Sequence, residues 1–398
     1  MNIRDWSSDV CSSDLMSLDV LNLIQPLLED DNTIIICGPR RGKNSSTQAI
    51  YELAAKWSLP VFIDSASDLR FANSIYDNIV AIGAYDTFLP AIPPSSITVE
   101  NVLHFGGVPT SKALNDFLSN SPIQRWVHVD ASLEWADDAF RTTDFIQMRP
   151  EAFCEQLSTY HQANPKSLSA LSTVLHDLEH QTWPVIEEQL AQQPNFDGGV
   201  VASLVDAMPD DSNLFVGNSL PVRLLDQFAQ PRTDKRIHVY ANRGVSGIDG
   251  NISTALGIAA STPEKLTVAL IGDVTFYHDM NGLLASKQHD IPMIIVVLNN
   301  DGGGIFHRLP IREFDPEFTQ YFVMSHGLDF AHAAKLYGFT HTRVTSISEF
   351  ADILRERLHE NVATIIEVRT DAQQDLRIRE AIMQSVADHI ERSQIVAT

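Results

Sequence analysis

The 398 residues are 44% apolar and carry a formal charge of −23, which suits a globular chain of two or three domains, each with a full core. The acidic balance argues against nucleic acid, whose phosphates are repelled, but not against small anions held by local arginines. No apolar run reaches the roughly 18 residues that span a bilayer, and Cys11, Cys37 and Cys154 form no disulfide or metal pattern, so a reducing, cytoplasmic setting without membrane contact is expected.

In chain order, residues 1–15 repeat a Ser-Ser-Asp unit and have neither the basic nor the apolar region of a signal peptide. They read as a non-native tail, such as the translation of an adapter joined to a gene fragment, with native sequence from about Met16. A short disordered tail is the alternative. Residues 33–37 form a β-rich run, followed by Gly38-Pro-Arg-Arg-Gly-Lys-Asn44 and an amphipathic helix at 44–57. That loop imitates a nucleotide-binding P-loop. It is one residue short, Asn44 replaces the Ser or Thr that would hold magnesium, and Pro39 removes an amide. A turn is the better reading. Further strands are expected at 60–64, 78–82, 99–105 and 125–130.

A polar helical region at 151–193 breaks the alternation and reads as a surface connection. Strands resume at 214–217, 237–240, 266–271, 293–298 and 364–368, with helices at 251–260, 280–289, 329–338, 347–359 and 376–391. Alternating strands and helices predict parallel sheets. The expected fold is therefore α/β, with two doubly wound domains at 16–175 and 176–398. Ligands in such sheets bind outside the carboxyl ends of the strands.

Two motifs stand at such ends. Leu270-Ile-Gly-Asp-Val-Thr275 delivers Asp273 after one strand, and Asn299-Asn-Asp-Gly-Gly-Gly-Ile-Phe306 follows the next. Asp273 offers a hard carboxylate oxygen, Asn300 an amide oxygen and Gly302 a backbone carbonyl. Magnesium takes about six oxygens and commonly completes its shell with phosphate. Gly272 allows close backbone approach, amides near Val274 and Thr275 can donate to phosphate, and Gly303 extends a loop able to wrap a ligand. Either motif alone is usually a turn or loop; the pair, with strand, helix and strand between, is far more specific.

The pair resembles the metal motif of thiamine diphosphate enzymes, which runs Gly-Asp-Gly through to Asn-Asn. Val274 departs from the second glycine. That departure, with Leu214-Phe-Val-Gly-Asn-Ser-Leu-Pro-Val-Arg223 and Asn242-Arg-Gly-Val-Ser-Gly-Ile-Asp-Gly250, resembles one branch, the 2-succinyl-5-enolpyruvyl-6-hydroxy-3-cyclohexene-1-carboxylate synthases of menaquinone biosynthesis. The resemblance runs from about Met16 onward.

It implies a thiamine diphosphate- and magnesium-dependent transferase, with manganese as a possible substitute. The implied substrates are 2-oxoglutarate, which is decarboxylated, and isochorismate, which receives the remaining unit by 1,4-addition. It places Asp273, Asn300 and Gly302 on the metal, Ile248 and Gly247 on the cofactor, and Ser219, Arg223, Arg243, Ile305 and Phe306 on substrate. Arginine suits dicarboxylates because it stays charged and grips in a bidentate fashion. Each arginine taken singly is more often a surface ion pair, and Phe306 is equally well explained as core. Lys112 matches a family lysine, but Ala113 stands where some relatives carry arginine. His278, His289, His326 and His332 have no zinc spacing, and His278, inside the metal motif, reads as incidental.

The resemblance also implies an activating glutamate from an N-terminal pyrimidine-binding domain, which these 398 residues do not show. The expectation is an inactive fragment of a homodimeric or homotetrameric parent, with no assignable catalytic residue. Two alternatives stand beside it: an acetolactate-synthase-like carboligase, and a non-catalytic cofactor-binding module.

Overall fold

The structure is a computed structural model that describes residues 16–40, 47–73, 79–132, 135–160, 167–360 and 362–396. The tail at 1–15 and most of the P-loop imitation, 41–46, lie outside the described residues. Two six-stranded sheets, parallel throughout, form the scaffold. The first comprises β1 (Thr33–Cys37), β2 (Val61–Ile63), β3 (Ala81–Ile82), β4 (Asn101–Phe105), β5 (Arg125–Asp130) and β6 (Asp144–Gln147), in the order β3-β2-β1-β4-β5-β6. The second comprises β7 (Ser212–Val216), β8 (Ile237–Tyr240), β9 (Thr267–Gly272), β10 (Ile294–Asn299), β11 (Thr340–Val344) and β12 (Thr364–Arg369), in the order β11-β12-β10-β9-β7-β8.

The central strands β1 and β10 are buried at every position. Helices on both faces explain their continuous apolar runs. Two strands escaped the sequence reading, β6 and β11. Both are edge strands with mixed, polar sequences, Asp-Phe-Ile-Gln and Thr-His-Thr-Arg-Val. An edge strand pairs on one side only, so its composition carries a weaker signal.

The helical stretch expected on the surface is not a surface linker. It consists of Pro150–Tyr160 and Ala170–Ala191, and the second helix buries Leu171, Leu175, Leu178, Trp183 and Ile186. Those side chains join a single apolar cluster that also holds Ile34 and Val102 of the first sheet and Leu214 and Val296 of the second. The two sheets therefore share a core. The boundary expected between residues 175 and 176 falls inside this continuous helix.

Polar groups lock the same junction. Arg70 is fully buried and donates to four carbonyl oxygens, those of Ile63 and Gly83 on one side and of Asp226 and Ala229 on the other. Asp226 accepts from the Ser65 amide at 2.9 Å and the Tyr85 hydroxyl at 2.7 Å. Glu179 accepts from the amides of Gly83 and Ala84 and from the Trp183 indole. Buried polar groups are tolerated when paired in this way. Among the described residues, no helix is long and apolar enough to cross a membrane.

Candidate functional site

In the second sheet the chain runs from β7 outward to β8, then returns to the other side of β7 with β9. The strand order reverses between β7 and β9, and an open crevice forms at such a point beyond the carboxyl ends. A cavity of about 160 Å³ occupies it. Ser219, Ile248, Gly272, Asp273, Val274, Thr275, Asn300, Gly302, Gly303, Ile305 and Phe306 all line it. Eleven residues expected at the site, drawn from four separate loops, thus meet in one place. Leu220, Pro221 and Leu298 supply apolar wall.

Asp273 is the first residue of a short helix directly after β9 and is 3% exposed. Its Oδ1 accepts from the Val274 amide at 2.7 Å, and its Oδ2 from the Gly302 amide at 3.0 Å. In this arrangement the Val274 amide faces the Asp273 carboxylate, and it lies in the first turn of the helix, where amides have no intrahelical acceptor.

Across the cavity, Asn299 and Asn300 divide their work. Asn299 is fully buried and donates to Glu367 at 2.8 Å, which fixes the end of β10 against β12. Asn300 points the other way, and its Oδ1 is buried without a hydrogen-bond partner. A buried acceptor with no donor is costly, and a metal ion is one way to satisfy it. Gly302 adopts φ +138°, and a Cβ there would lie 2.2 Å from the Val323 carbonyl oxygen. Only glycine brings this backbone so close. One carboxylate, one orphaned amide oxygen and one glycine carbonyl form a hard-oxygen set that fits magnesium. Among the described residues there is no cluster of three His, Cys, Asp or Glu side chains for a softer metal.

Neither arginine is in the cavity wall, but both bond to the loop after β7. Arg223 donates back to the Ser219 carbonyl at 2.7 Å, at the entrance of its own helix, Leu220–Phe228. Arg243 donates to Asn218 Oδ1 at 2.7 Å, and its Nε is buried without a partner. Burial lowers the pKa of Arg223, the positive charge of Arg243 lowers it further, and Asp86 of the first unit opposes both. Two crowded guanidinium groups of like charge favour an anion between them. Ser219 holds φ +75°, rare for a residue with a side chain, and such strain clusters at working sites.

Gly247 stands beside the cavity rather than in it; its carbonyl accepts from Asn218 at 2.7 Å. Asn218 thereby ties the loop after β7 to the loop after β8. Lys112 is not brought to the site. It pairs with Asp116 one turn along its helix, with the lysine side chain 85% exposed. His278 is also outside the cavity wall.

Two further residues reach the site: His326, set aside for lack of metal spacing, and Asp197, which the sequence did not single out. His326 places Nε2 3.3 Å from Asp273 Oδ2 and Nδ1 3.4 Å from Asp301 Oδ1. The hydrogen bond to Asp273 raises its pKa. Asp197, at the start of helix Asp197–Ala207, lines the cavity with one carboxylate oxygen buried and unpartnered. Neither has a signal in spacing: His326 is 53 residues beyond Asp273, and Asp197 precedes two glycines that disguise its helix.

Comparison with known proteins agrees with this geometry. A family model described as the thiamine pyrophosphate enzyme C-terminal TPP binding domain matches residues 223–368. A protein of Roseiflexus sp. (strain RS-1) named 2-succinyl-5-enolpyruvyl-6-hydroxy-3-cyclohexene-1-carboxylate synthase is 45% identical over 370 residues, covering 92% of this chain and 61% of that protein. Proteins of the same name from Halobacterium salinarum and Bacillus cytotoxicus are 38% and 36% identical, with 59% and 62% of their lengths covered. The chain spans about three fifths of the length of the relatives it matches.

Proposed function

We propose, from a chain that is homologous to the 2-succinyl-5-enolpyruvyl-6-hydroxy-3-cyclohexene-1-carboxylate synthases, that it forms the diphosphate-anchoring part of such an enzyme, acting on 2-oxoglutarate and isochorismate. The observation that carries the reading is the orphaned Asn300 Oδ1 beside buried Asp273, at the ends of adjacent parallel strands. Asp273, Asn300 and the Gly302 carbonyl would hold magnesium or manganese, and the metal would neutralise a diphosphate. When bound, thiamine diphosphate supplies the electron sink for decarboxylation and carbon–carbon bond formation.

The chain's own residues bind and orient. Ile248 gives the cavity an apolar surface against which rings can rest, and Ile305 and Phe306 close it on the substrate side. Arg223 and Arg243 would grip the carboxylates of a dicarboxylate substrate, with Ser219 set between them and the cavity. The resemblance implies a glutamate that activates the cofactor's far ring, and among the described residues no glutamate lines the cavity. The 398-residue chain assayed alone should therefore show no synthase turnover; measurable turnover would contradict this.

Asp273→Ala decides the metal assignment. Thiamine diphosphate is titrated calorimetrically into the chain with and without magnesium. Loss of the magnesium-dependent affinity is expected, and unchanged affinity refutes the site. A version extended to the length of its relatives separates the substrates, since preference for pyruvate over 2-oxoglutarate would favour an acetolactate-synthase-like enzyme.

A further inference from the structure

The turn Gly304–Arg308 carries Ile305 and Phe306 into the cleft, but its last residue faces elsewhere. Arg308 lines a second cavity of about 240 Å³, between this turn and the C-terminal helix Ala372–Ser393. Arg312 and Arg379 join it, and Leu309 and Leu376 give it an apolar side. Its acids are Glu313 and Glu380, of which Glu380 is held by Arg312 at 3.2 Å. Arg379 commits only its Nε, to Gln227 at 2.8 Å. Arg308 has no hydrogen bond or ion pair within the described residues. Burial holds its pKa down at about 10, with Arg379 and Arg223 repelling it and Asp197 and Asp86 acting only through their charge.

Guanidinium carries five donors and cannot shed its charge. Arg308 is half-buried, and without an acceptor its partial desolvation is left uncompensated. Two guanidinium groups with free donors around one small space match the planar, two-oxygen face of a carboxylate or phosphate.

We propose that this second cavity is a binding site for a small anion bearing a carboxylate or phosphate group, gripped by Arg308 and Arg379, with any apolar remainder against Leu309 and Leu376. It backs onto the cleft through one shared turn yet does not depend on the cofactor reading.

The test is calorimetric titration of the full chain with inorganic phosphate and, separately, with succinate at constant ionic strength. One saturable site is expected for at least one probe. Arg308→Gln and Arg379→Gln should each weaken it by about tenfold or more, the scale of a lost charge-assisted contact. Asp273→Ala should leave it unchanged, and Arg223→Gln, which removes a charge acting on Arg308 from a distance, should weaken it less than either. The probe that binds identifies the head group. Two results overturn the proposal: no saturable binding of either anion, or affinity lost in Arg223→Gln and retained in Arg379→Gln, which would put the anion in the cleft. Should circular dichroism show that Arg308→Gln does not fold, Arg379→Gln decides alone, because Arg379 is half-buried on the C-terminal helix.

Discussion

At the scale of single residues, the site is built from exceptions to ordinary packing. Asn300 leaves a buried oxygen unmet, Ser219 holds a left-handed backbone, and Gly302 occupies a space that admits no side chain. Gly302→Ala tests the last of these. A Cβ 2.2 Å from the Val323 carbonyl forces the loop to move, and the positive φ adds strain. The substitution should cost about 1–3 kcal/mol in denaturant unfolding and weaken magnesium-dependent cofactor binding at the same time. Gly250→Ala is the control: it shares a positive φ but meets open space, so binding should persist. Equal loss in both variants would show that strain alone, not the close approach, governs the loop.

At the scale of elements, helix Ala170–Ala191 does more than connect. It buries a row of leucines spaced three and four apart, on the face turned to the shared core. Leu178→Ala would remove a fully buried side chain and should destabilise the whole chain by about 2–5 kcal/mol, read as a single shifted unfolding transition. Two separate transitions, with only one displaced, would show that the sheets unfold independently.

The whole molecule carries its acidity partly inside. Burial pushes Asp226 up to about 8, with the nearby charge of Asp64 adding to the effect, and Asp375 up to about 8. A carboxyl group whose folded value lies above its unfolded 3.8 binds its proton more tightly when folded. Its stabilisation is complete below the unfolded value and is lost as pH rises through about 8. The thermal midpoint should therefore fall between pH 5 and roughly pH 9, and Asp226→Asn, which stays neutral, should flatten that slope. An unchanged slope removes Asp226 as its source. The helices over one face of the second sheet also expose Tyr277, Leu284 and Leu336.

Much of this was legible in the chain itself. Parallel strands buried on both faces tend to be apolar throughout, so β1, β9 and β10 announced themselves, and a strand end followed by Gly-Asp or Asn-Asn places its ligands within a few residues. Asp273, Asn300 and Gly302 were proposed because their geometry is local. The resemblance supplied what local chemistry did not, the roles of Ser219, Arg223 and Arg243. Edge strands β6 and β11 were hidden because one-sided pairing tolerates polar sequence. What only the tertiary structure decided was every contact made between distant segments. His326 reaches Asp273 over a long loop, Asp197 enters the cleft from a preceding helix, Lys112 is left at the surface, and Arg308 meets Arg379 across the C-terminal helix. No spacing rule encodes such meetings, because they are set by how two sheets close over one shared core.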